Sequence, residues 1–144
     1  PEKTATLHPG LIYLLKQEKI KSVLQIDSAT HELNGQCSNV KVLLPGYQNF
    51  LQREFGYLKI DSAGFYTFYL SSDDGSALYL NDEIVIDNDG DHETQEKKIK
   101  LFLQPGAYSF QLDYFNGVRD AALKLEIESD KMKRQPVPDS MFFH

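Results

Sequence analysis

The sequence predicts an all-β fold, an antiparallel sandwich or barrel, on two observations. After residue 50, apolar and polar side chains alternate with a period of two almost everywhere. The alternating runs are short, and turn residues separate them at close intervals. The chain has 144 residues, which is one domain with room for a core of its own.

The elements follow in order. Leu11 to Leu15 reads as a strand that crosses to the other sheet. Ile20 to Val23 has some helical character but sustains no face, and Leu33 to Asn39 reads as loop. Residues 56–80 then give an alternating strand, a Gly turn, a second alternating strand, and two adjacent aspartates, Asp73 and Asp74, before Gly75. In that second strand Tyr66, Phe68 and Leu70 form one row and Phe65, Thr67 and Tyr69 the other. Ala77 to Leu80 and Glu83 to Ile86 form a hairpin about Asn81-Asp82. Ile99, Leu101 and Leu103 alternate with Lys98 and Lys100, which places one face in a core and one in water. Gln104-Pro105-Gly106 is a turn, because Pro presets φ and Gly accepts a positive one. Tyr108, Phe110, Leu112 and Tyr114 make the next inward row. Asn116-Gly117 is a further turn, before Ala121, Leu123, Leu125 and Ile127. From Ser129 to Pro138 the chain is polar, and it is expected to be a linker or surface strap. Met141-Phe142-Phe143 would anchor the tail to the domain.

Composition narrows the function. The net charge of −6 argues against a nucleic-acid partner, which requires a clustered basic surface. Cys37 is the only cysteine, so an internal disulfide and a cysteine metal site are both excluded. No apolar run approaches the roughly 20 residues of a membrane-spanning helix. The chain begins at Pro1, as expected of a piece of something longer, and nothing in it argues against a monomer.

The motifs resemble those of a PA14 domain, a β-sandwich module. They are Gly56-Tyr57-Leu58-Lys59-Ile60, Gly64-Phe65-Tyr66-Thr67-Phe68, Ser72-Asp73-Asp74-Gly75-Ser76, Leu78-Tyr79-Leu80, Ile84 to Gly90 with His92, Leu103 to Gly106, and Asp113-Tyr114-Phe115. They run in the family's order over roughly residues 9–128, leaving 129–144 as a C-terminal strap of a single domain over 1–144. The resemblance implies a non-catalytic carbohydrate-binding module. Its host would be an exported bacterial glycoside hydrolase of the β-hexosaminidase-like kind, placed in the periplasm, on the outer surface or in the medium. The partners would be a glycan and the host's catalytic domain. A structural spacer that packs on that domain without binding sugar is the alternative, as is a protein-interaction module.

The resemblance also places a site. In sugar-binding members, the aspartate pair that Asp73-Asp74 resembles is joined by a cis peptide and shares one Ca²⁺ with sugar hydroxyls. Calcium favours about six to eight oxygen ligands in flexible geometry. The loop matching 116–120 supplies an Asn side chain and main-chain carbonyls to that ion, which makes Asn116, Val118 and Asp120 candidate ligands. Arg119 is placed to hydrogen-bond a sugar or to pair with Asp120 or Asp113, and Tyr47 and Tyr79 are the aromatic residues expected to be exposed for stacking. Read from the residues alone, Asp73-Asp74 is a backbone-capping turn and Asn116-Gly117 a tight turn. The acids of Asp87-Asn88-Asp89-Gly90-Asp91 resemble the start of an EF-hand loop, but Gly90 falls in the wrong place and the bidentate Glu is missing. No Gly-x-Ser-x-Gly elbow or cleft-spanning acid pair suggests catalysis.

Overall fold

The computed structural model describes residues 6–17, 22–23, 33–118 and 120–144, and the first half of the reading at Ile20 to Val23 falls outside them. The described strands form two antiparallel sheets, as the alternation predicts. The wider sheet contains β1 (Leu11–Gln17), β2 (Leu33–Cys37), β3 (Phe50–Ile60), β5 (Ser76–Leu80), β6 (Glu83–Asn88) and β8 (Gly106–Asn116), in the order β2-β1-β3-β8-β5-β6. The narrower sheet has the order β10-β9-β4-β7, with β4 (Gly64–Asp73), β7 (Gln95–Leu103), β9 (Ala122–Ser129) and β10 (Met132–Pro136). A two-residue strand, β11 (Phe142–Phe143), pairs with β3 of the wider sheet.

The core lies between the sheets and uses the rows the period of two picks out. Phe68, Leu70 and Ile127 of the narrow sheet meet Leu58, Ile60, Leu78 and Leu112 of the wide one, all buried. Each such side chain contributes about 1.5–3 kcal/mol by leaving water. The hairpin between β5 and β6 turns at Asn81 (φ 50°) and Asp82 (φ 68°), the left-handed pair that matches strand twist.

Several expectations change. Leu33 to Cys37 is not loop but an edge strand, held by its ladder to β1 despite having no apolar row. β1 does not cross over, since it pairs with β2 and β3 in one sheet. The stretch from Ser129 onward is not a linker. β10 adds to β9, and Phe142 is fully buried and T-stacked on Phe110. Close docking of β11 depends on Gly56, where a Cβ would collide with the Phe143 carbonyl oxygen. Asn116-Gly117 is not a hairpin turn, because β8 and β9 lie in different sheets. The turn at Gln104-Pro105-Gly106 switches sheets in the same way.

Residues 42–44 pack over Leu15, Phe50 and Tyr114 of the wide sheet. Two buried side chains of β3 receive this strap as a strand would. Gln52 accepts from Leu43 N and donates to the Lys41 carbonyl, and Glu54 accepts from Lys41 N. Glu54 also accepts from Gln52 and, weakly, from the Cys37 thiol. Burial first, then the neighbouring Glu54, pushes that thiol up to about 12, which makes it unreactive.

Candidate functional site

The site begins where β4 leaves its sheet. β4 lies between β7 and β9, with Ser72 opposite both Gln95 and Leu123 and Asp73 opposite Ala122. Beyond Asp73 the chain crosses to start β5 at Ser76 in the other sheet, opposite Tyr114. The peptide between Asp73 and Asp74 is cis. A central strand thus stops at Asp73, level with Thr94, while Glu93 on one side and residues 120–121 on the other continue past it. The result is a notch at the end of the sandwich.

Hydrogen bonds fix the crossing from both sides. Asp74 N donates to the Phe115 carbonyl at 3.1 Å, and Phe115 N donates to the Gly75 carbonyl at 3.0 Å. The Tyr114 hydroxyl donates to the Asp73 carbonyl at 2.6 Å and accepts from Ala122 N at 3.2 Å. Burial, with the negative charges of Asp73 and Asp74 adding to it, holds that phenol well above its usual range, so it remains a donor. Ser72 Oγ donates to the Asp74 carbonyl at 2.7 Å and lies 2.6 Å from Ser76 Oγ. Asn88 Nδ2 extends this buried network to the Gln95 carbonyl at 2.8 Å.

The same bonds bring the acidic pair to Asn116. Gly117 N donates to Asp74 Oδ2 at 2.7 Å. Asp74 and Asn116 are almost wholly buried, and Asp73 is 7% exposed. Asn116 Nδ2 donates to the Tyr47 carbonyl at 3.3 Å, and its Oδ1, also buried, accepts no hydrogen bond. Two further bonds staple the Tyr47 loop to the same segment, Asn49 N to the Gly117 carbonyl at 2.7 Å and Gln48 Nε2 to the Val118 carbonyl at 2.8 Å.

Two depressions open here and share Asp120. One, of about 590 Å³, is lined by Asp73, Glu93, Thr94, Val118 and Asp120. The other, of about 350 Å³, is lined by Val42, Pro45, Gly46, Tyr47, Gln48, Asp120 and Ala121. Of the expected site residues, Asp73, Asp74, Asn116, Val118, Asp120 and Tyr47 therefore lie together. Arg119 is outside the described residues. Tyr79 is neither at this end nor freely exposed. It is registered with Gln111 and packs against Val23, Leu51, Ala77 and Phe115, because its position in β5 points it to the covered outer face of the wide sheet.

Glu93 and Thr94 are not evident in the sequence, because the β4–β7 register, not a local motif, brings them to Asp73. The Asp87–Asp91 loop is used for bracing. Asp89 accepts from Ser22 Oγ and Val23 N, Asn88 is in the buried network, and His92 contacts the carbonyls of Asn88 and Glu93.

The donor chemistry fits a calcium ion. Two carboxylates and one amide oxygen are hard donors, their residues are buried together at an open end, and main-chain carbonyls are close by. Among the described residues no three His, Cys, Asp or Glu side chains cluster tightly enough to hold a metal alone, so the amide and carbonyls would have to take part.

A two-sheet antiparallel arrangement with an oxygen-lined end defines a β-sandwich domain. The chain belongs to the PA14 domain family, whose model matches residues 8–140. That match reaches into β10 and the turn after it. Over 79 residues, 54% of the chain, it is 29% identical to the anti-sigma-I factor RsgI3 of Acetivibrio thermocellus. The chain spans only 12% of that relative's length. A PA14 sugar-binding domain from an RTX adhesin superposes with a TM-score of 0.78 at 15% identity, covering 94% of this chain and 98% of that one. A β-glucosidase of Kluyveromyces marxianus, solved with glucose, gives 0.63 at 22% identity, over 85% of this chain and 16% of the enzyme. At these identities the two structures establish the shared fold.

Proposed function

We propose that this domain is a non-catalytic carbohydrate-binding module whose site is the end of the sandwich formed by Asp73, Asp74 and Asn116. The observation that carries the reading is the 2.7 Å bond from Gly117 N to Asp74 Oδ2, which sets the buried acid pair against Asn116 at the mouth of two depressions. Asp73, Asp74 and the Asn116 amide oxygen would hold Ca²⁺, with the carbonyls of Val118 and Asp120 as further ligands. Bound there, the ion would offer coordination positions to a vicinal diol of a sugar. Tyr47, 56% exposed on the adjoining rim, would supply an apolar face for the ring, and Arg119 a hydrogen-bond donor.

His8 and His144 exchange backbone hydrogen bonds, and β11 joins β3 at Tyr57 and Leu58. Phe50, at the other end of β3, is opposite Asn116. Seven residues of strand at about 3.3 Å each place that junction roughly 20 Å from the site. We propose an exported bacterial glycoside hydrolase as host, in the periplasm, on the cell surface or secreted, where tethering raises the local concentration of enzyme at its glycan. The β-glucosidase that contains a similar domain supports a hydrolase host, and the anti-sigma-factor relative broadens the choice beyond enzymes.

The test is calorimetric titration of Ca²⁺ into chelator-stripped protein, with and without Asp73→Asn. Saturable binding that weakens at least tenfold in the variant is expected. A folded wild-type sample that takes up no Ca²⁺ would leave the pair as a structural turn.

One observation favours the spacer reading alongside this one. Phe65 and Phe102 are each more than half exposed on the narrow sheet and stack edge-on at 5.1 Å. Two adjacent exposed aromatics suit contact with another domain. Phe65→Ser with Phe102→Ser should loosen host contacts while Ca²⁺ binding stays unchanged.

A further inference from the structure

The larger of the two depressions described above has a wall that the acid pair and its partner loop do not account for. Glu93 and Thr94 stand on one side of it, Val118 and Asp120 on the other, with Asp73 at its base. The wall follows from the register. Gln95 is paired with Ser72, which sets Thr94 level with Asp73 and carries Glu93 one residue beyond it, where β4 has already turned away. It is also braced. Asn88 Nδ2 donates to the Gln95 carbonyl at 2.8 Å, Gln95 Nε2 returns a bond to Asn88 Oδ1 at 3.0 Å, and His92 joins the carbonyls of Asn88 and Glu93. Asn88 also reaches Ser72 Oγ, which holds the Asp74 carbonyl. One buried network therefore sets both the acid pair and the facing wall.

We propose that Glu93 and Thr94 are specificity-determining residues of the glycan site and read a second sugar ring. This rests on the carbohydrate-binding reading above. At about 590 Å³ the depression lies within the roughly 300–1,000 Å³ range of pockets that take drug-sized ligands, which a disaccharide matches better than a single pyranose. A ring held at Asp73 and Asp74 occupies the base, and the next ring of the chain lies along the wall. The Glu93 carboxylate accepts from its hydroxyl or acetamido N–H groups, and the Thr94 hydroxyl both donates and accepts. Both residues are exposed, so substituting them leaves the core intact.

The experiment compares wild type with the size-matched double variant Glu93→Gln, Thr94→Val. The probes are neutral mono-, di- and trisaccharides of glucose, galactose, mannose and N-acetylglucosamine, titrated in millimolar Ca²⁺. Wild type is expected to bind its preferred disaccharide at least tenfold more tightly than the corresponding monosaccharide. The variant should lose most of that gain while its monosaccharide affinity changes less than twofold. Equal affinity of wild type for one ring and two would overturn the inference and leave carbohydrate binding standing. So would a disaccharide gain that survives in the variant, or a variant that weakens both ligands equally. No binding of any probe by wild type would overturn the carbohydrate reading and this inference together.

Discussion

Gly75→Ala is expected to destabilise the domain by about 3 kcal/mol and to weaken Ca²⁺ uptake at least tenfold. The sequence suggests that Gly75 serves to let the backbone bend after the acid pair. The structure gives a different cause, since Gly75 does not have a positive φ. What it lacks is room. A Cβ there would be 2.6 Å from Gly90 N, 2.6 Å from Phe115 Cε1 and 2.8 Å from Asp89 Oδ1. The first of these atoms is backbone, and the second belongs to a fully buried ring packed with Leu51, Ala77 and Val23. Neither can yield without moving its neighbours, in an interior packed like a crystal. Relief must come from the crossing segment itself. It carries the Gly75 carbonyl that accepts from Phe115 N and the Asp74 carboxylate that accepts from Gly117 N. Stability and ion affinity should therefore fall together. Urea denaturation and calcium titration of one sample measure both, and an unchanged midpoint would show that the close approach at Gly75 is relieved without cost. A loss of about 3 kcal/mol is a large part of the usual 5–15 kcal/mol margin of a domain.

How far the sequence reveals this fold depends on what each element buries. Strands β4, β5, β8 and β9 have one face in the core, so a period of two marks them and their turns. β2, with the sequence Leu33-Asn34-Gly35-Gln36-Cys37, is an edge strand whose ladder to β1 is not written in any apolar row. β10 is hidden for the same reason, as a mostly polar edge that ends at Pro136. Alternation also does not say which sheet a strand joins. The turns at residues 104–106 and 116–117 are plain in the sequence, yet they connect different sheets. The acid pair and Asn116 are legible through their motif, and Tyr47 through its exposed loop. Glu93 and Thr94 depend on which residue of β7 faces Ser72, a pairing between distant segments that composition does not encode.

The same limit applies to Glu54, and it leads to the second large effect. Along β3 the inward row runs Phe50, Gln52, Glu54, Gly56, Leu58 and Ile60, so the alternation places a carboxyl on the core side. Burial, opposed by hydrogen bonds from Lys41 N and Gln52 and a weaker one from Cys37, raises its pKa from 4.5 to about 8. Between those values the folded protein keeps a proton that the unfolded chain has lost. The unfolded state then binds fewer protons, so stability falls as pH rises through this window. From pH 5 to pH 8 the loss is about 3 kcal/mol. Glu54→Gln removes the titration while keeping the size. A glutamine can still accept from Lys41 N, but its amide then faces the Gln52 donor, so the variant should begin about 1 kcal/mol below wild type at pH 5. The difference should close and then reverse by pH 8, because only wild type must bury a charge there. Denaturation midpoints for both proteins at pH 5, 6, 7 and 8 read this directly, and parallel curves would mean that Glu54 stays ionised in the fold. The outcome bears on the site because the strap that Glu54 and Gln52 hold runs on to Tyr47. Lys41 and Leu43 take their bonds at one end, and Asn49 and Gln48 are stapled to Gly117 and Val118 at the other. Charging Glu54 strengthens the bonds it accepts from Lys41 N and Gln52, so the strap stays attached and calcium affinity should change little across the window in which stability falls.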